Sequence, residues 1–133
     1  MTASPVFDYA HYEPGRHYGS RDFAVDTATI AKWRDVYPND ADPGVMPGGM
    51  LAMIVIDAVL TLNSPRPPGG VHGGQTFDIR RMPRIGETLR TEVSCLDKEI
   101  KKERKWVRVR TETREVGSGE LLFTGVMTTL VAH

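Results

Sequence analysis

The run M-L-A-M-I-V-I-D-A-V-L, Met50 to Leu60, is the longest apolar stretch of the chain and constrains its fold more than any other segment. Read as a helix from about Gly48 to Leu62, it distributes Met50, Leu51, Met53, Ile54, Val55, Ile56, Val59 and Leu60 around almost the whole circumference. A helix apolar on all sides is one that the rest of the protein encloses. It is too short to span a bilayer and carries Asp57, so the enclosure has to be built from protein.

The enclosing material follows at once in the sequence. N-S-P-R-P-P-G-G, Asn63 to Gly70, stops the helix and makes a stiff loop. Beyond it the period changes to two. V-H-G-G-Q-T-F-D-I-R, T-L-R-T-E-V-S-C-L, K-W-V-R-V-R-T-E-T-R-E-V and E-L-L-F-T-G-V-M-T-T-L-V-A read as four strands, separated by P-R-I-G-E, by D-K-E-I-K-K-E-R-K and by G-S-G. The third alternates cleanly, with Val107, Val109, Thr111 and Thr113 on one side and Arg108, Arg110, Glu112 and Arg114 on the other.

Before the helix, residues 1–20 are rich in aromatics, Gly and Pro without periodicity and read as an ordered arm. D-F-A-V-D predicts a short strand. Asp26-Thr27 offers an N-cap to T-A-T-I-A-K-W-R-D-V-Y, a helix with Ile30, Trp33 and Tyr37 on one face, which Pro38 ends. The expectation is one α+β domain over residues 1–133, a long central helix wrapped by a curved antiparallel sheet of about five strands.

Composition narrows the function. Seventeen basic residues balance seventeen acidic ones, so no net field favours nucleic acid or an anionic membrane. The locally basic run Asp97 to Lys105 lies between two strands and reads as a solvated hairpin tip. One cysteine, Cys95, allows neither an intramolecular disulfide nor a structural zinc site built on cysteines. No basic segment leads into an apolar one near the start, so a cytoplasmic protein without a signal peptide is expected.

The order of parts and the segment F-D-I-R-R-M-P-R-I-G-E-T-L resemble the hot-dog superfamily, and within it the MaoC-like dehydratases, including the FAS1-type dehydratase domains. The similarity runs from about Tyr12 to Val131. The resemblance implies a hydro-lyase of fatty acid metabolism that interconverts 3-hydroxyacyl and enoyl thioesters. No metal or cofactor is implied beyond the CoA or carrier-protein phosphopantetheine of the substrate. A homodimer or higher homo-oligomer, or pairing with a hot-dog paralogue, is implied as well.

The (R)-specific hydratases of that family carry D-x-N-P-x-H before a helix that begins H-G-M. In D-A-D-P-G-V-M-P-G-G-M-L, Asp40 matches the acidic residue and Pro43 the proline, Asp42 stands for the asparagine and Val45 for the histidine, and Gly48-Gly49-Met50 replaces H-G-M. Asp40 is therefore the first candidate for proton transfer, although an Asp there also serves as a turn residue. His72, at the start of the strand after the helix, is a substitute acid/base, imidazole being the side chain most suited to proton transfer, or a surface histidine. The backbone N–H groups of Gly48, Gly49 and Met50 are candidates to hold the thioester oxygen. Arg80, Arg81 and Arg84 are candidates for the CoA phosphates.

Two other readings compete with hydration. The missing histidines favour a non-catalytic, acyl-binding partner subunit. Asp57 favours an acyl-CoA thioesterase, since some hot-dog thioesterases use an acid on this helix. Its spacing is about one residue longer than theirs, roughly 100° of helical rotation, and hydrogen bonding at an interface is the favoured explanation of Asp57.

Overall fold

The computed structural model describes residues 7–39, 44–66 and 69–132. A 3-10 turn, Tyr9–His11, precedes β1 (His17–Ala24), α1 (Thr27–Val36), α2 (Met50–Leu62), β2 (Val71–Ile79), β3 (Thr88–Lys101), β4 (Arg104–Glu115) and β5 (Leu121–Val131). The strands form one antiparallel sheet in the order β1-β3-β4-β5-β2. β1 and β2 are therefore its edges. β1 is longer than the expected D-F-A-V-D strand and takes in residues 17–20, which the sequence reading left in the arm.

Each element follows from local chemistry. Asp26 caps α1 by accepting a hydrogen bond from the Thr29 N–H at 2.7 Å, and this bond lowers the Asp26 pKa. The hairpin tip is confined to Lys102 and Glu103, where φ is 51° and 64°; the rest of the run from Asp97 to Lys105, expected as the tip, is paired within β3 and β4. Gly86, at φ 98°, turns the chain from β2 towards β3, a conformation that a residue with a Cβ resists.

The concave face of the sheet packs on α2 in two continuous clusters. Met50, Leu51, Ile54 and Val55 meet Leu89, Leu122 and Phe123, with Val25 and Ile30 at the flank. Further along, Ala58 and Val59 meet Val93, Val107, Val109 and Met127. Tyr12 from the amino-terminal segment is fully buried in this second cluster, although nothing in its sequence context marks it as core. Each large apolar side chain so buried contributes about 1.5–3 kcal/mol. The alternation on β4 holds: Val107, Val109, Thr111 and Thr113 are buried, and Thr113 and Thr91 share a buried hydrogen bond of 2.8 Å between their hydroxyls.

One expectation is corrected. α2 is not enclosed all round, because Met53, Asp57 and Leu60 form an exposed stripe at helical spacing, with Met53 36% and Leu60 48% exposed. Five strands can cover only one side of a helix. The opposite side is left to solvent or to another molecule.

Candidate functional site

The site expected at the start of α2 is assembled from the loop before it and the β2–β3 connection. Gly44, at φ 87°, turns the chain so that Val45 bridges to Arg84 and the Met46 N–H donates to the Pro83 carbonyl at 2.8 Å. Met46 and Pro47 are buried, whereas Gly48 and Gly49 are exposed. Gly49 is the N-cap residue, and no side chain caps the helix. The Met50 N–H donates to the Pro47 carbonyl at 3.1 Å and the Leu51 N–H to that of Gly48 at 3.2 Å. Met50 is thus not an available donor, a correction that only the turn geometry supplies.

The N–H groups of Gly48 and Gly49 have no acceptor among the described residues. They stand at the positive end of a helix of about 20 Å, and anions and developing oxyanions are stabilised in such a place. A Cβ at Gly48 would meet nothing within 4 Å, so the approach to its amide is open. Beside Gly49 lies a surface hollow of about 780 Å3, lined by Trp33, Val36, Tyr37, Pro38 and Asn39. Trp33 and Tyr37 pack with ring centroids 4.6 Å apart, and Tyr37 is 52% exposed. The sequence predicts both on one face of α1 together with Ile30. The signal for a site was their position in the last turn before the D-A-D-P loop.

The other candidates fall in different places. Asp40 lies outside the described residues, as do Asp42 and Pro43. His72 is exposed at the start of β2, beside the carboxyl-terminal half of α2, so within one chain it does not meet Gly48 and Gly49. Arg81 is committed internally. Its Nη1 and Nη2 donate to Glu87 at 2.9 and 2.7 Å, and its Nε donates to Glu120 at 3.0 Å. These carboxylates push the Arg81 pKa up, and the guanidinium holds Glu87 below its ordinary range. A phosphate would have to displace both partners, so the expectation for Arg81 is corrected to a structural role. Arg84 is exposed and bridged to Val45, and Arg80 is exposed at the end of β2.

Asp57 lies on the open stripe of α2 and pairs with Arg21 of β1, Nε to Oδ2 at 2.5 Å, with the two side chains 53% and 46% exposed. The apolar surroundings read from the sequence are the buried faces on either side of it. Among the described residues no cluster of three His, Cys, Asp or Glu could hold a metal ion. Cys95 is buried, which pushes its thiol pKa up.

No protein-family model and no curated protein matches the chain. Solved structures do. A MaoC-like dehydratase from Rhodospirillum rubrum superposes with a TM-score of 0.77 at 18% identity, covering 93% of this chain and 95% of that one. An R-hydratase of Pseudomonas aeruginosa, in unliganded form, gives 0.74 at 20% identity, covering 95% and 86%. The HadBC (3R-hydroxyacyl-ACP dehydratase) complex of Mycobacterium tuberculosis gives 0.71 at 14% identity, covering 88% and 96%. At these identities the likeness is one of architecture, and the five-stranded curved sheet on its central helix is the hot-dog fold found in MaoC-like dehydratases and R-hydratases.

Proposed function

We propose that the protein is an acyl-thioester dehydratase or hydratase, acting on 3-hydroxyacyl or enoyl thioesters of CoA or of a carrier protein. One observation carries this reading: two adjacent, exposed glycines whose N–H groups have no acceptor among the described residues stand at the start of a helix whose next two residues are buried. The thioester oxygen accepts from them as it takes on enolate charge, and donors fixed in advance need no reorganisation at that moment. In hydration, the oxygen of water bonds to Cβ while a proton is delivered to Cα. Asp40 takes the proton from water and returns one to Cα, and reverses both steps in dehydration. The Trp33–Tyr37 hollow supports the body of the substrate, and Arg84 is the remaining cation beside the helix start for a CoA phosphate.

The exposed stripe of α2 and the open edge of β2 support a homodimer, or a pair with a hot-dog paralogue. His72 acts at a Gly48-Gly49 pair only if a second chain brings the two together. The test is hydration of crotonyl-CoA, followed by loss of the enoyl absorbance, with Asp40→Asn beside the parent. The expected result is turnover by the parent and a loss of about 100-fold or more in the variant. Equal rates would remove Asp40 from the mechanism.

A second reading has its own observation. Val45, where the resemblance places a histidine, is part-buried and bridged to Arg84, so no imidazole stands there. This favours a subunit that binds acyl thioesters without turning them over, and crotonyl-CoA binding with no hydration would establish it.

A further inference from the structure

A separate cavity of about 370 Å3 lies beside Ile56 and Leu60, roughly two and three turns along α2 from Met50. Its body is apolar, with those two side chains joined by Met127 and Val131 of β5. Of its side chains Tyr12, Arg66, Thr129 and His72 can each donate a hydrogen bond, and no Asp or Glu among the described residues lines it. Arg66 is half-buried and has no carboxylate partner among the described residues.

One further observation points to a missing occupant. Thr129 lines the cavity at 4% exposure, and its hydroxyl has no hydrogen-bond partner among the described residues. Buried side-chain polar atoms are as a rule paired, so such a hydroxyl in a cavity wall marks a place where a ligand would improve the structure. Burial raises the Tyr12 pKa, while neighbouring Arg66 and Asn63 act in the opposite direction, so the hydroxyl stays a donor at neutral pH.

We propose that this cavity binds a small carboxylic acid with an apolar body, its carboxylate received by Arg66, Tyr12 and Thr129 and its body lying against Ile56, Leu60 and Met127. An anion follows from a guanidinium that has no carboxylate partner among the described residues and stands beside donor hydroxyls, in a wall whose described residues include no acid group. An apolar body follows from the remaining wall, and the volume is at the lower end of small-molecule sites. The site uses no atom at the start of α2, although Leu60 and His72 also lie on the face proposed to meet a second chain.

The test is a titration of the full chain with sodium octanoate, with octanol as the uncharged control, followed by the methyl resonances of Ile56 and Met127. Octanoate is expected to shift them saturably and octanol to bind at least about tenfold more weakly, the factor a charge-assisted hydrogen bond supplies. Arg66→Gln should weaken octanoate by about tenfold and leave octanol unchanged. Thr129→Val removes an unsatisfied hydroxyl, so without ligand its Tm should equal or exceed that of the parent, while its octanoate affinity falls. Absence of saturable shifts, equal binding of octanol, or unchanged octanoate affinity in Arg66→Gln would each overturn the proposal. A lower ligand-free Tm for Thr129→Val would show that its hydroxyl is already satisfied and would remove it from the site.

Discussion

Arg81 and Glu87 form a two-point ion pair across the β2–β3 connection, Nη1 to Oε1 at 2.9 Å and Nη2 to Oε2 at 2.7 Å. Glu87 also accepts from the Arg84 N–H at 2.5 Å, and Arg81 reaches Glu120 at the end of the β4–β5 connection. One carboxylate therefore fixes the connection that bridges to Val45, just ahead of α2. Glu87→Gln should cost about 1–2 kcal/mol in urea unfolding, because it weakens charge-assisted bonds to a largely covered arginine. The Glu87 pKa is lowered in the folded state from an ordinary 4.5. Its contribution is thus complete above pH 4.5 and is lost as pH falls through the lower folded value. Parent and Glu87→Gln stabilities should converge in that acid range and stay apart at neutral pH.

Gly125 separates packing from chemistry. A Cβ there would lie 2.9 Å from both Gln75 Nε2 and Thr111 Oγ1, and 3.3 Å from Phe77 Cδ1. Gly125→Ala should destabilise the protein by about 1–3 kcal/mol through overpacking between β4, β5 and β2, read as a lower midpoint in chemical denaturation.

Asp57 and Arg21 form an exposed pair, and exposed pairs contribute little. Asp57→Asn should change stability by less than about 1 kcal/mol. On the hydratase account it should also leave crotonyl-CoA hydration unchanged, with no thiol released by parent or variant. Thiol release by the parent that is lost in Asp57→Asn would revive the thioesterase alternative.

If α2 and the β2 edge meet a second chain, a charge on that surface will part them. Ile79 is 47% exposed on the edge strand. Ile79→Glu should keep the circular dichroism spectrum and sediment as a smaller species than the parent. An unchanged sedimentation coefficient would place the interface elsewhere.

The sequence made the layout legible because both periods were strong: a dense apolar run, then clean alternation on the strand from Arg104 to Glu115. It did not reveal the open stripe of α2, since Met53 and Leu60 look the same whether their own sheet or a partner covers them. Tyr12 was hidden for the opposite reason, being a core residue in a segment without periodicity. Arg81 looked free because Glu120 lies far along the chain and becomes its neighbour only when β5 returns beside β2. The glycine pair was visible as a helix start. That Gly48 and Gly49 keep their N–H groups available while Met50 does not depends on the Pro47 carbonyl, a matter of turn geometry.

Gly48 gives the clearest separation of function from stability. Its missing Cβ has open space around it, so Gly48→Val should fold with a Tm close to the parent while blocking the approach to the amide. Acyl-CoA binding should weaken by about tenfold or more, the equivalent of one hydrogen bond to a developing or partial charge.

The most direct test follows the backbone amides of Gly48 and Gly49 by nuclear magnetic resonance while butyryl-CoA, which has no double bond to hydrate, is added. Both N–H resonances should move downfield and saturate together, with Met50 N–H, already bonded to Pro47, moving less. Saturable binding that leaves Gly48 and Gly49 unmoved would contradict the assignment of the thioester oxygen to the start of α2.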